Sequence, residues 1–289
     1  MNFESRFSRS RWSLASTIIL PILILSENAC LPDDTRATPG RLDVSVAGNA
    51  HEPIVTSDGW EIAFSEFLLS IGDLRLLGDD CNEYNEVDYL RLVNLTREGS
   101  QRLATPYARG PCDIAYRIGA PDADAVLGTG VTENDKTRLR TSGGDAIVEN
   151  AGISLSVTGT ASRDGTTKVF AWPFRADLPY ECTGPEGRPA VTLDQATDHA
   201  QQIEVRAEAL FQQAPEDGAA VLFEPFAEAD DLHGNADGAV SIDELAATPS
   251  SSPEGPATLA ELLYFEVLPR VPRFTSGLVC VRRPPDDDD

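Results

Sequence analysis

Soft metal ligands are scarce in this chain. Met1 is its single methionine, and only His51, His199 and His233 carry imidazole. Copper sites draw on thioether, thiolate and imidazole donors, so copper enters here only as an alternative cofactor, resting on those three dispersed histidines. Basic residues are few as well. The 23 Lys and Arg stand against 47 Asp and Glu, a formal net charge of −24. Binding a nucleic-acid backbone needs clustered cations, so nucleic acid is not an expected partner. There is no G-x-S-x-G elbow, no H-E-x-x-H and no glycine-rich phosphate loop. Without these no catalytic residue can be assigned, and a non-enzymatic protein is expected. Adjacent carboxylates such as Asp79-Asp80 and Asp230-Asp231 are plentiful. Neighbours in sequence cannot flank a substrate from opposite sides, so they read as acidic surface.

Long apolar runs are missing too, with one exception near the start. Arg6, Arg9 and Arg11 precede an apolar stretch from Leu14 to Leu25, and Ala29 precedes Cys30. A basic, an apolar and then a small-residue segment is the layout of a secretory signal peptide, here residues 1–29. The stretch is shorter than the roughly 20 residues that span a bilayer. Cys30 follows a small residue, as the lipidated cysteine of a bacterial lipoprotein does. Residues 30–41 read as a tether. The expected location is the periplasm, the outer membrane or the cell surface, with membrane attachment only through that lipid. An unknown protein is the remaining candidate partner.

Four cysteines follow Cys30: Cys81, Cys112, Cys182 and Cys280. An even count behind an export signal reads as two disulfides. Three connectivities are open, and Cys81–Cys112 with Cys182–Cys280 is the expected one. No C-x-x-C pair supports a four-thiolate metal site.

From residue 42 onward the chain shows short apolar runs broken by Gly, Pro, Asp and Asn. Leu42, Val44 and Val46 alternate with polar residues, as do Ile114, Tyr116 and Ile118, and Ile153, Leu155 and Val157. Strict alternation marks half-buried strands. Phe64 to Leu77 reads as two strands with an irregularity between them. Pro173 places the run Val169–Phe174 near an edge or bend, and the apolar run Val221–Phe226 reads as another short strand. Helix is expected only late, at Ser241–Ala247 and Ala257–Leu263. The predicted fold is mainly β: an antiparallel β-sandwich over 42–228, then a helical, EF-hand-like appendage and C-terminal extension over 229–281. Residues 282–289 read as a disordered acidic tail.

One segment has the spacing of a metal site. His233 to Glu244 follows the EF-hand calcium loop, with Gly238 at the turn position. Asn235, Asp237, the carbonyl of Ala239, Ser241 and Glu244 take the following ligand positions. His233 stands where an aspartate is expected, and imidazole suits calcium poorly. Asp231 is the expected substitute, with Leu232 to Gly234 bulged out. A weak or structural calcium site at Asp231, Asn235, Asp237, Ala239, Ser241 and Glu244 is the main functional expectation, in an exported binding protein of the cell envelope. A structural or adhesive domain without metal is the other alternative.

Several pieces, taken in order, carry a resemblance. They are Asp58-Gly59-Trp60, Phe64-x-x-Phe67-Leu68, Ile71-Gly72-Asp73, and the run Gly110 to Ile118. Gly159-Thr160-Ala161, Asp164-Gly165, Phe170-x-Trp172-x-Phe174, Tyr180-x-Cys182 and the loop Asn235 to Leu245 follow. Their order resembles exported, lipoprotein-like bacterial proteins similar to the methanobactin-associated periplasmic copper-binding protein family. The similarity covers most of residues 42–247. It implies a metal-binding β-sandwich in the cell envelope, with copper working through a redox partner. Relatives tend to carry a His-rich stretch where this chain has Ile203 to Phe211, which holds no histidine.

Overall fold

A strand's pleat sends alternate side chains to opposite faces, and the first strand obeys it. In β1 (Gly40–Gly48), Leu42, Val44 and Val46 are fully buried while the residues between them are half-exposed. The computed structural model describes residues 38–195, 197–212, 218–250 and 255–283. The expected signal peptide, Cys30 and most of the tether lie outside these residues, as does the tail beyond residue 283. Among the described residues no helix is long and apolar enough to cross a membrane.

The chain is mainly β. After β1 come β2 (Ile54–Val55), β3 (Glu61–Leu77), β4 (Asn82–Glu83), β5 (Val87–Asn94), β6 (Gln101–Ala104), β7 (Tyr107–Ile118) and β8 (Val126–Leu127). The second half adds β9 (Leu155–Arg163), β10 (Thr166–Phe174), β11 (Leu178–Thr183), β12 (Val191–Leu193) and β13 (Asp198–Val205). Three short strands close the series: β14 (Ala239–Val240), β15 (Pro272–Phe274) and β16 (Val279–Arg282). Helices are short: α1 (Glu133–Arg140), α2 (Glu224–Glu228), α3 (Ile242–Ala247) and α4 (Leu259–Glu261).

The expectation of two separate antiparallel sheets gives way to one curled, mixed sheet. Its main path runs β14-β10-β9-β3-β7-β1-β13-β15. The physical reason lies in β3 and β7. Each is long enough to change partners along its length, so β7 pairs with β3, β11, β12, β4 and β1 in turn. Such strands carry hydrogen bonding around the curl and leave no break between layers. Most pairs are antiparallel, but β1–β13, β10–β14 and β5–β8 are parallel.

The irregularity expected within Phe64–Leu77 is a bulge, so β3 is one strand and not two. Its register shifts between Gly72 and Leu74, and Asp73 adopts a left-handed φ of 45°. Val221–Phe226 is not a strand. It runs into α2, because Pro225 sits in the first turn, where a missing N–H costs nothing. α1 is unforeseen, since only Leu139 of its residues is buried. Leu139 joins Leu68, Leu90, Leu92, Ala125 and Ile153 in a small second core on the outer face of β3 and β5. Arg282 also departs from the tail expectation, for it ends β16 opposite Tyr180.

The main core is aromatic inside the curl. Trp172 lies 4.7 Å from Phe170, 5.8 Å from Phe211 and 5.5 Å from Phe226, centroid to centroid. Across β7 and β11, Tyr116 stacks on Tyr180 at 4.8 Å. Burial raises both phenols above their ordinary pKa. Both disulfides form as expected, Cys81–Cys112 and Cys182–Cys280. The second joins residues directly opposite each other on β11 and β16.

Candidate functional site

The loop after α2 is built from its entry upward. The Asp58 carboxylate accepts bonds from the backbone N–H groups of Phe223 and Glu224, at 2.9 and 2.7 Å, and from the Thr56 hydroxyl. These groups open α2, so Asp58 caps it from a distant turn. Burial pushes the Asp58 carboxyl up, but the bonds from Thr56, Glu224 and Phe223 outweigh it and hold it below the usual carboxylate value. Next to it, buried Trp60 donates through Nε1 to Glu224 at 2.9 Å. Arg163 lies over the Trp60 ring at 4.7 Å and pairs with Glu224 at 2.6 Å. The Asp58-Gly59-Trp60 motif is thus a clamp on the helix that leads into the loop.

α2 widens into a π-type turn over Ala229–His233. That turn carries Asp230 inward until it is fully buried, while Asp231 stays half-exposed. Asp230 then organises the loop. Its Oδ1 accepts from the N–H of Asp237 at 3.1 Å, and its Oδ2 from the N–H of Gly238 at 3.0 Å. Its carbonyl accepts from the N–H of Ala236 at 3.1 Å. Gly238 takes a φ of 86°, a conformation open to glycine at no steric cost. A Cβ at Gly234 would meet Glu244 Oε1 at 2.1 Å and the Asp230 carbonyl oxygen at 2.9 Å, so a larger residue there would displace the Glu244 carboxylate from its cap.

The exit is equally defined. Ser241 caps α3, accepting from the N–H of Glu244 at 3.2 Å, and Glu244 Oε2 accepts from the N–H of Ser241 at 2.8 Å. This is a capping box. Glu244 Oε1 also accepts from the N–H of Asn235 at 3.4 Å. Asp237 accepts from the N–H of Ala239 at 2.8 Å and from the Asn235 side chain at 3.0 Å. Between these ends Ala239 and Val240 add β14 beside Val169 and Phe170 of β10. Trp172 Nε1 donates to the Val240 carbonyl at 2.9 Å. The loop is therefore tied to the sheet through β14.

Lys168 of β10 completes the site. Its side chain is 5 % exposed, and its Nζ lies 2.6 Å from Asp230 Oδ2 and 2.6 Å from Asp231 Oδ1. Burial lowers the affinity of this amine for its proton, but the two carboxylates outweigh that and raise its pKa. A fixed ammonium sits between the acidic side chains at the loop entrance. Asp231, expected as the first calcium ligand, faces Lys168, and Asp230 performs the turn-closing role instead. Among the described residues no three His, Cys, Asp or Glu side chains gather to hold a metal ion.

Asp230, read from sequence as acidic surface, is instead fully buried, because Lys168 and the loop N–H groups pair it. Lys168 escaped the sequence reading, although a signal existed. Lys168 stands in the same alternating register as Phe170, Trp172 and Phe174, all buried. A lysine on an inward-facing position needs a buried counter-charge. The histidines are dispersed. His199 pairs with Leu42 at one end of β1, whereas His51 follows the other end, beyond Gly48. The register offset puts them roughly 20 Å apart at about 3.3 Å per residue. His233 is exposed on the loop.

The chain matches no protein-family model and no curated relative. Among solved structures it is similar to MbnP from Methylosinus trichosporium, with 12% identity and a TM-score of 0.31, over 86% of this chain and 100% of that one. At that score the likeness says nothing of what this chain binds.

Proposed function

We propose that this chain is an exported, non-enzymatic protein of the cell envelope, a disulfide-stapled β scaffold serving as a structural or recognition module. Its 230–244 loop braces the C-terminal elements against β10 without a metal ion. The observation that carries this reading is the Lys168 ammonium, bonded to both Asp230 and Asp231 at 2.6 Å. It supplies positive charge at the entrance of the loop, where a calcium ion would draw on the same carboxylates. Two disulfides fit an oxidising compartment outside the cytoplasm. Membrane attachment, in this reading, runs through Cys30 alone.

A calcium ion bound through Asn235, Asp237, Ala239, Ser241 and Glu244 would compete with the bonds those groups already make. Copper handling is the second reading, carried by the order of motifs from Asp58 to Leu245. It calls on His51, His199 and His233, acting singly or together with a partner protein. Metal analysis and melting of the mature protein separate the readings. A ligand that binds the folded state raises the melting temperature. The brace predicts no heat on calcium titration and an unchanged melting temperature in chelator. A calcium-dependent rise of several degrees overturns it in favour of a structural calcium site. Copper that co-purifies one to one and is lost in His51→Ala or His199→Ala establishes the second reading.

A further inference from the structure

A polar cleft opens beside β5, β6 and β7, away from the 230–244 loop. Its volume is about 380 Å³, inside the range of roughly 300–1,000 Å³ that small-ligand sites occupy. Arg91 and Arg102 line it, together with Tyr89, Tyr107, Thr105 and Glu86. Two guanidinium groups face the Glu86 carboxylate in this lining, while Asp43 beside Arg102 is shared with Arg41, so cations outnumber carboxylates here on a chain whose formal charge is −24.

The two arginines are held differently. Arg91 is anchored through Nε to the Leu103 carbonyl at 3.3 Å, and the Tyr89 hydroxyl donates to that same carbonyl at 3.4 Å. This anchor fixes the guanidinium plane and leaves the terminal amines of Arg91 for another acceptor. Arg102 donates through Nε, at 2.9 Å, and through Nη2 to the Thr105 hydroxyl, which itself donates to Asp43 at 2.7 Å. Its Nη2 lies 3.6 Å from Asp43, so Nη1 is the amine that faces another acceptor. Asp43 is itself paired with Arg41 at 2.5 Å, so Arg102 shares its counter-ion with a second cation. The cleft wall is braced by Asn85, which accepts from the N–H of Tyr107 at 2.6 Å and donates to the Thr105 carbonyl at 3.4 Å. Tyr107 is 39% exposed and gives the cleft an accessible ring.

An anchored guanidinium presents paired donors in a fixed fork, which matches the paired oxygens of a carboxylate or phosphate. A tyrosine ring offers an apolar face with a polar tip. We propose that this cleft binds a small polar molecule bearing an oxyanion, of the size of an acidic sugar, with Arg91 and Arg102 on the anion and Tyr107 against its body. The field of two guanidiniums in a concave wall draws such an anion in despite the acidic surface around it.

Calorimetric titration of the full mature protein tests this with three probes: galacturonate, glucose 6-phosphate and uncharged galactose. Saturable binding of a charged sugar and none of galactose is expected. The carboxylate and phosphate arms show which oxyanion is preferred. Arg91→Gln weakens binding at least tenfold and Arg102→Gln weakens it several-fold, with melting curves that overlay the parent. Absence of saturable binding for both charged probes overturns the proposal. So does equal affinity for galactose, or binding that survives both substitutions. None of these outcomes touches the lysine brace, whose test is metal and melting.

Discussion

Lys168 Nζ and Asp230 Oδ2 lie 2.6 Å apart, and both side chains are almost wholly out of solvent. A charge pair in that setting has a known asymmetry. Forming it costs desolvation, while removing one partner strands the other as an uncompensated buried charge. Asp230 also accepts two backbone N–H groups of the loop, so a change at Lys168 is transmitted to the turn itself.

Lys168→Met is therefore expected to destabilise the protein by about 3–5 kcal/mol, as loss of one partner of a buried pair does. Asp231→Ala removes only the half-exposed partner and costs about 1 kcal/mol or less. Urea unfolding of both variants measures the two values. Equal losses would remove Asp230 from its place as the main counter-ion.

Ser241→Ala breaks the capping box of α3. A lost N-cap costs about 1 kcal/mol, and thermal melting reads it. Ser241→Thr keeps a hydroxyl that accepts from the Glu244 N–H and donates to its carboxylate, and is expected to restore most of the loss.

Asp58 sets an acid limit. Its folded-state pKa lies below the ordinary value, so its contribution to stability is fully present above the unfolded pKa of about 3.9 and is lost as pH falls through the lower folded value. Lys168 has the opposite sign. Its raised pKa gives a contribution that is complete below the unfolded value of about 10.4 and is lost only as pH rises through the folded one. Melting temperature between pH 2 and 6 should fall less steeply in Asp58→Asn than in the parent. A parallel fall in the two proteins would contradict the assignment.

The disulfides should differ in weight. Cys81–Cys112 closes a sequence separation of 31, and Cys182–Cys280 one of 98. Chain-entropy arguments give about 4 and about 5 kcal/mol for loops of these sizes. Double serine variants of each pair, compared by urea unfolding, should rank in that order.

How much of this was legible in the sequence depended on pattern length. Leu42, Val44 and Val46, and then Ile114, Tyr116 and Ile118, alternate over enough residues to show both strand and buried face, and all six are buried. Val221 to Phe226 is mostly apolar but broken by Glu224 and Pro225, and such a short run does not separate strand from helix. α1 shows the reverse problem. Its sequence is polar apart from Leu139, and its only signals are the Thr132–Asp135 capping box and the charges that follow the helix dipole. The loop's spacing from Asn235 to Glu244 was plain, but its cation partner comes from β10. Pairing between β10 and β14 is long-range, and no local pattern encodes it. The curl of the sheet was hidden for the same reason, since β7 draws its neighbours from across the chain.

The parallel pairing of β1 with β13 bears on when this protein folds. β1 is made first among the described strands, yet Leu42 to Gly48 lie against His199 to Val205 from far along the chain. β15 then pairs with β13 on its other side. Contacts of such separation form late and slowly, because a long loop must close before they stabilise anything. Until β13 has been synthesised, the edge of β1 that it covers has no partner. A polypeptide threaded through an export channel must stay unfolded until most of it has passed. In the exported protein proposed above, this topology would supply that delay from within, by withholding the neighbour its first strand needs.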